Sequence, residues 1–150
     1  MRLAITEARK NLETMAGGPF GAVIVKGSEI VAFARNTVLR TDATSHAEIN
    51  AIRKASLKLK TFDLSGCVIY STCEPCPMCF SAIHWAKIDL IAYGATIKDA
   101  KKIGFNELGI SCRQMKSRGK SQVKIISGLL RNECLEMMVD WGRLGNKRLY

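Results

Sequence analysis

Two short stretches hold most of the reactive side chains of this sequence. SHAEIN (45–50) carries His46 and Glu48, and STCEPCPMCF (71–80) carries Cys73, Cys76 and Cys79 with two prolines between them. An imidazole and two thiols are nitrogen and sulfur donors of the kind zinc prefers, and three protein ligands with an open fourth place distinguish a catalytic site from a closed one. His46, Cys76 and Cys79 supply such a set. Glu48 is then free to act as a proton carrier beside a metal-activated water. Three other readings compete. CxxC alone also suits a redox pair, and Cys73 could complete a closed Cys3His knot that would make the protein a structural zinc-binding module. The third is a chance cluster. The knot leaves Glu48 idle, and an extended turn at Glu74-Pro75 directs Cys73 away.

These residues need helix starts to position them. Ser45 or Thr44 can cap a helix whose apolar positions Ile49, Ile52 and Leu59 recur at helical spacing. Pro77 suits the first turn of a second helix beginning at PMCFSAIHWAK. Both helices would aim their positive ends at the cluster, which favours thiolates. Leu3, Ile5, Ala8, Leu12 and Met15 mark an opening helix that Gly17, Gly18 and Pro19 break. FGAVIVKGSEIVAFAR is two β-rich runs about Gly27 and Ser28, a hairpin signal. GCVIYST, IDLIAYGA and SQVKIIS read as strands, TIKDAKKI as a short helix and LLRNECLEMMVDWGRL as a final amphipathic helix. The order αββαβαβαβα predicts an α/β protein, a three-layer α/β/α sandwich. Residues 104–120 form the longest stretch without clear periodicity, a functional or mobile loop.

The 150 residues fit one domain, 1–150, with a core that needs no disulfides. No apolar run reaches membrane-spanning length and no signal-peptide core is present, so the expectation is a cytoplasmic protein in which the six cysteines stay reduced. Cys67, Cys112 and Cys134 read as small hydrophobes. The formal charge of +10 is uneven: residues 1–97 carry 11 basic against 8 acidic side chains, and residues 98–150 carry 12 against 5. A basic final third suits phosphate or nucleic acid, or is simply a solvated face.

HxE followed by PCxxC is the signature of zinc-dependent nucleobase deaminases. The chain resembles the cytidine deaminase-like superfamily over nearly its whole length, with a five-stranded mixed sheet implied. GGPFGAVIVK (17–26), TCEPCPMC (72–79) and IGFNE (103–107) make it similar to the bacterial guanine deaminase branch. The resemblance implies zinc on His46, Cys76 and Cys79, and Glu48 as proton shuttle. It implies Asn36 and the backbone of Ala47 and Glu48 on the substrate base, with Phe20 and either His84 or Trp85 walling the pocket. For Phe20 and Trp85, core packing is the competing reading. In that branch an acidic residue after the fourth strand also faces the base, a place Glu107 takes here with one methylene more than the usual aspartate. A C-terminal tyrosine, donated by the partner of a swapped dimer, corresponds to Tyr150. The expected reaction is deamination of a purine base or nucleoside, guanine first. tRNA adenosine is the second candidate, and cytosine or another amino-heterocycle the third. A homodimer is implied, and no membrane partner.

Overall fold

The chain opens with helix α1 (Arg2–Thr14) and a hairpin, β1 (Gly21–Lys26) and β2 (Glu29–Arg35), followed by α2 (Ala47–Leu59) and β3 (Cys67–Cys73). Then come α3 (Pro77–Trp85), β4 (Leu90–Ala95), α4 (Ile97–Lys102), α5 (Cys112–Arg118), β5 (Lys124–Ser127) and α6 (Arg131–Gly142). Residues 1–150 are all described in this computed structural model. The five strands form one mixed sheet in the order β2-β1-β3-β4-β5. β1 is antiparallel to β2 and β3, whereas β3, β4 and β5 run parallel and are joined by helical crossovers. No helix is long and apolar enough to cross a membrane.

Each face of the sheet is covered by its own helices. A Cβ on Gly21 would meet the backbone of Ala4 in α1 at 2.1 Å, and one on Gly94 would meet Cys134 of α6 at 2.3 Å. Gly21 and Gly94 lie in register on one face through Thr72, so α1 and α6 share that side and need glycine beneath them. α2 and α3 cover the opposite face, where Ser71 reaches Glu48 of α2. α2 packs most deeply through Ala47, Ala51 and Ala55, all fully buried, with the expected Ile52 and Leu59 half-buried against the same core. Small side chains let its backbone approach the strands closely.

Two expectations are corrected. The stretch 104–120 contains α5, whose start is written as Ser111-x-x-Gln114: both halves of a capping box are present. The cap of α2 is His46 itself, in extended conformation at φ −65°, ψ 157°, and not Ser45 or Thr44.

Candidate active site

His46 and Cys76 occupy equivalent places, each the residue before a helix, each extended, and neither side chain spent on capping its own helix. Local backbone geometry therefore turns both donor atoms outward from the helix ends toward each other. His46 Nδ1 lies 3.6 Å from Cys76 Sγ, and with Cys79 Sγ the three donor atoms fall within 4.8 Å of one another. Tetrahedral zinc at the usual bond lengths sets its ligand atoms roughly 3.5–3.8 Å apart. The donor set fits that ion. The Cys76 thiol is pulled down to about 4 by its hydrogen bond with Cys79, against the cost of burial and with help from His46. It is thus ready as the thiolate that zinc takes.

Glu48 projects from the first turn of α2 into a buried position. Ser71 Oγ donates to its Oε1 at 2.8 Å, and Cys79 Sγ stands 3.5 Å from its Oε2. Burial raises this carboxyl above its ordinary range, with the His46 charge opposing. A carboxyl raised in this way holds a proton more readily than an exposed one, as a proton carrier must.

A cavity of about 180 Å³ opens on these groups, lined by Phe20, Glu48, Phe105, Asn106, Glu107 and Tyr150 among others. That is smaller than the ~300–1,000 Å³ of sites for drug-sized ligands and suits one small ring system. Phe105 organises the aromatic wall, meeting Phe20 edge-on at 4.9 Å and Tyr150 edge-on at 5.4 Å, with Trp141 stacked behind it at 5.2 Å. A Cβ on Gly18 would lie 2.6 Å from both the Phe20 and Phe105 rings, so the GGPF turn requires glycine there. Burial pushes the Glu107 carboxyl up to about 7, with the Cys76 charge adding to the effect.

The structure brings together most of the residues singled out in the sequence. His46, Glu48, Cys76, Phe20, Glu107 and Tyr150 line the cavity, and Cys79 and Ala47 are fully buried close to it. Asn36 is fully buried as well; its Nδ2 has no partner and the Tyr150 hydroxyl lies beside it. That hydroxyl also accepts from the Gly18 N–H at 3.1 Å. Tyr150 thus reaches the cavity wall within this single chain. Asn11, on the buried face of α1, braces this corner by donating to the carbonyls of Gly18 and Asn36, both at 2.8 Å.

Trp85 is the residue that the fold places elsewhere. It is 75% exposed at the end of α3, away from the cavity, because the helix runs nine residues outward from the metal cluster. His84 is likewise outside, with Nδ1 3.1 Å from Ser121 Oγ. Trp141 is fully buried and offers no exposed ring. Cys73 lies in the cavity wall with its thiol on the Thr96 carbonyl at 3.5 Å, outside the donor cluster, and all six thiols are free. Ser71 and Glu74 were not singled out in the sequence. Strand pairing alone reveals Ser71, whereas Glu74, two residues before Cys76, was visible as an acidic residue inside the cysteine motif.

Residues 1–95 match the family described as the cytidine and deoxycytidylate deaminase zinc-binding region. The guanine deaminase of Bacillus subtilis (strain 168) is 38% identical across the whole of this chain and 96% of its own length. The tRNA-specific adenosine deaminase of the same organism is 36% identical over 92% of this chain and 83% of its own. A solved guanine deaminase structure from Nitrosomonas europaea superposes with a TM-score of 0.87 at 26% identity, covering 95% of this chain and 82% of that one. With donor geometry, sheet order and sequence in agreement, the chain belongs to the cytidine and deoxycytidylate deaminase family and is a zinc-dependent hydrolytic deaminase of C–N bonds in cyclic amidines.

Proposed function

We propose that this 150-residue chain acts as a single deaminase domain that converts guanine to xanthine and ammonia. The observation that carries the reading is the small aromatic-walled cavity that Glu48, Glu107 and Tyr150 line together. The full-length similarity to a guanine deaminase supports it.

Zinc held by His46, Cys76 and Cys79 supplies the Lewis acid that makes water a nucleophile at neutral pH. The chain's own residues do the rest. Glu48, oriented by Ser71, takes a proton from the attacking water as its oxygen bonds to C2 of guanine, and delivers that proton to the neighbouring ring nitrogen N3. Glu48 then takes the remaining hydroxyl proton and passes it to the departing amine. The C–N bond breaks, ammonia leaves, and C2 becomes a carbonyl as N3 keeps its hydrogen. Phe20 and Phe105 hold the flat base and keep out water. The Asn36 amide, buried beside the Tyr150 hydroxyl, has a donor that an acceptor on the base would take over, and Glu107 accepts from the N–H edge of the base or, when protonated, donates. The backbone N–H groups of Ala47 and Glu48 open α2 and add further donors near the reacting carbon.

Deamination of adenosine in tRNA is the second reading, favoured by the 36% identical relative and by the basic final third. Against it, Trp141 is buried and Tyr150 is held by the Gly18 N–H in the cavity wall, leaving the tail with few free stacking rings of the kind that single-stranded RNA uses. We further propose a homodimer in the cytoplasm, testable by light scattering, with each Tyr150 seated in its own protomer. The deciding experiment measures ammonia release by zinc-loaded protein from guanine, guanosine, adenine, adenosine, cytosine and cytidine, with inosine formation in tRNA assayed in parallel. Guanine turnover is expected. Inosine in tRNA with no ammonia from guanine would overturn the proposal.

A further inference from the structure

Three carboxylates, Glu48, Glu74 and Glu107, stand in the cavity wall, and the reaction above uses only Glu48 and Glu107. Glu74 is 6% exposed, and its partners are backbone donors: Oε1 accepts from the Cys112 N–H at 2.9 Å and Oε2 from the Ile97 N–H at 3.4 Å. Ile97 and Cys112 are the first residues of α4 and α5. In each helix the capping box, Thr96 with Asp99 and Ser111 with Gln114, satisfies the cap and third-position N–H groups. The first N–H of each is left over, and an orphan donor buried without a partner is costly. Glu74 takes both.

These helices bracket residues 103–111, which put Phe105, Asn106 and Glu107 into the cavity. On its other side Glu74 is two residues from the metal ligand Cys76. Its own N–H donates to Ala95 at 2.8 Å, and Cys112 Sγ donates to the Pro75 carbonyl at 3.2 Å. One buried side chain therefore joins the turn that carries a metal ligand to the starts of the two helices that bracket the segment facing the base, directly beside it at Cys112 and one short helix away at Ile97.

We propose that Glu74 is a positioning residue: it locks segment 103–111 to the metal-ligand turn, so that Glu107 and Glu48 keep a fixed separation across the cavity. The consequence for the base rests on the guanine reading above; the lock itself does not. A carboxylate suits this place because both oxygens accept, whereas an amide of the same shape keeps one acceptor and sets an NH₂ against the other N–H. A space-filling side chain would be replaced by glutamine without effect.

The test compares full-length, zinc-loaded Glu74→Gln with the unsubstituted protein by zinc content, amide hydrogen exchange, and kcat and KM for guanine. Zinc content and exchange in α2 and α3 are expected to stay unchanged. Exchange at Ile97 or Cys112 and across 103–111 is expected to quicken about tenfold, the scale of one hydrogen bond to a charged group. KM for guanine is expected to rise about tenfold with a smaller change in kcat, because the proton carrier and metal ligands are untouched. Wild-type exchange and KM in Glu74→Gln would overturn the proposal, and so would loss of zinc, which would make Glu74 a support of the metal ligands instead. Should the unsubstituted protein not turn over guanine, the substrate reading fails and hydrogen exchange alone decides the role of Glu74. If Glu74→Gln does not fold, Cys112→Pro carries the readouts of zinc content, kcat, KM and exchange across 103–111, position 112 itself having no N–H. Proline suits a first helical position after the extended Ser111, and it removes the N–H tie to Glu74 together with the thiol contact to the Pro75 carbonyl, leaving the Ile97 tie in place.

Discussion

The two sides of the cavity are built differently. The metal side, His46, Glu48, Cys76 and Cys79, comes from the first turns of two helices, held against the sheet by fully buried alanines and by Ile83. Within each helix start its geometry follows from short-range rules, since residues within one helical turn have fixed relative positions, and one packing of α2 beside α3 brings the two pairs together across 30 positions. The opposite side, Phe105, Asn106, Glu107 and Tyr150, comes from a connection between two short helices and from the last residue of the chain. Its placement depends on a few long-range ties: Glu74 to two helix starts, Gly18 N–H to the Tyr150 hydroxyl, and the bidentate Arg131–Asp99 pair at 2.7 and 3.0 Å. The reaction is thus carried by rigid local structure, and the choice of base by parts that can be retuned separately.

The sharpest way to break this comparison is at Glu48. Glu48→Gln should lower ammonia release by about 10²–10⁴-fold, the usual worth of a general acid–base group, with zinc still bound by elemental analysis. Retained turnover would put the proton transfers elsewhere. Removing residues 146–150 probes the other side: KM for guanine should rise roughly tenfold or more as the cavity loses its tyrosine wall, again with zinc retained. If zinc is lost with the tail, the two sides are not separable.

A smaller effect is expected at Asp99, which lies outside the cavity. Arg131 holds its carboxyl well below the ordinary range, against burial and with help from Thr96. Because the shift is downward, the stabilisation is fully present above the unfolded value of about 4 and is lost as pH falls through the folded value. Asp99→Asn should cost about 1–3 kcal/mol near neutral pH in denaturant unfolding, and the difference from the unsubstituted protein should shrink in acid. The smallest effect belongs to Trp85. With its ring in solvent, Trp85→Ala should change stability by no more than about 0.5 kcal/mol and leave KM for guanine unaltered. A raised KM would return Trp85 to the recognition side.

The sequence by itself determined the metal set and its proton carrier, because HxE and PCxxC each lie within a few residues of a helix start. It also determined the hairpin, the alternation of strands and helices and the three layers. Even α5 was legible in Ser111-x-x-Gln114. Only the tertiary structure decided that Cys73 turns to the Thr96 carbonyl, that Ser71 on a neighbouring strand orients Glu48, and that Trp85 leaves the pocket. It alone seats Tyr150 beside Asn36 and Gly18 in its own chain, and it alone shows Glu74 between two helix starts. The division has a physical cause. Spacing along one helical turn fixes distance through backbone geometry, whereas contacts between residues 20 to 130 positions apart exist only once the sheet has assembled and every helix has settled against it.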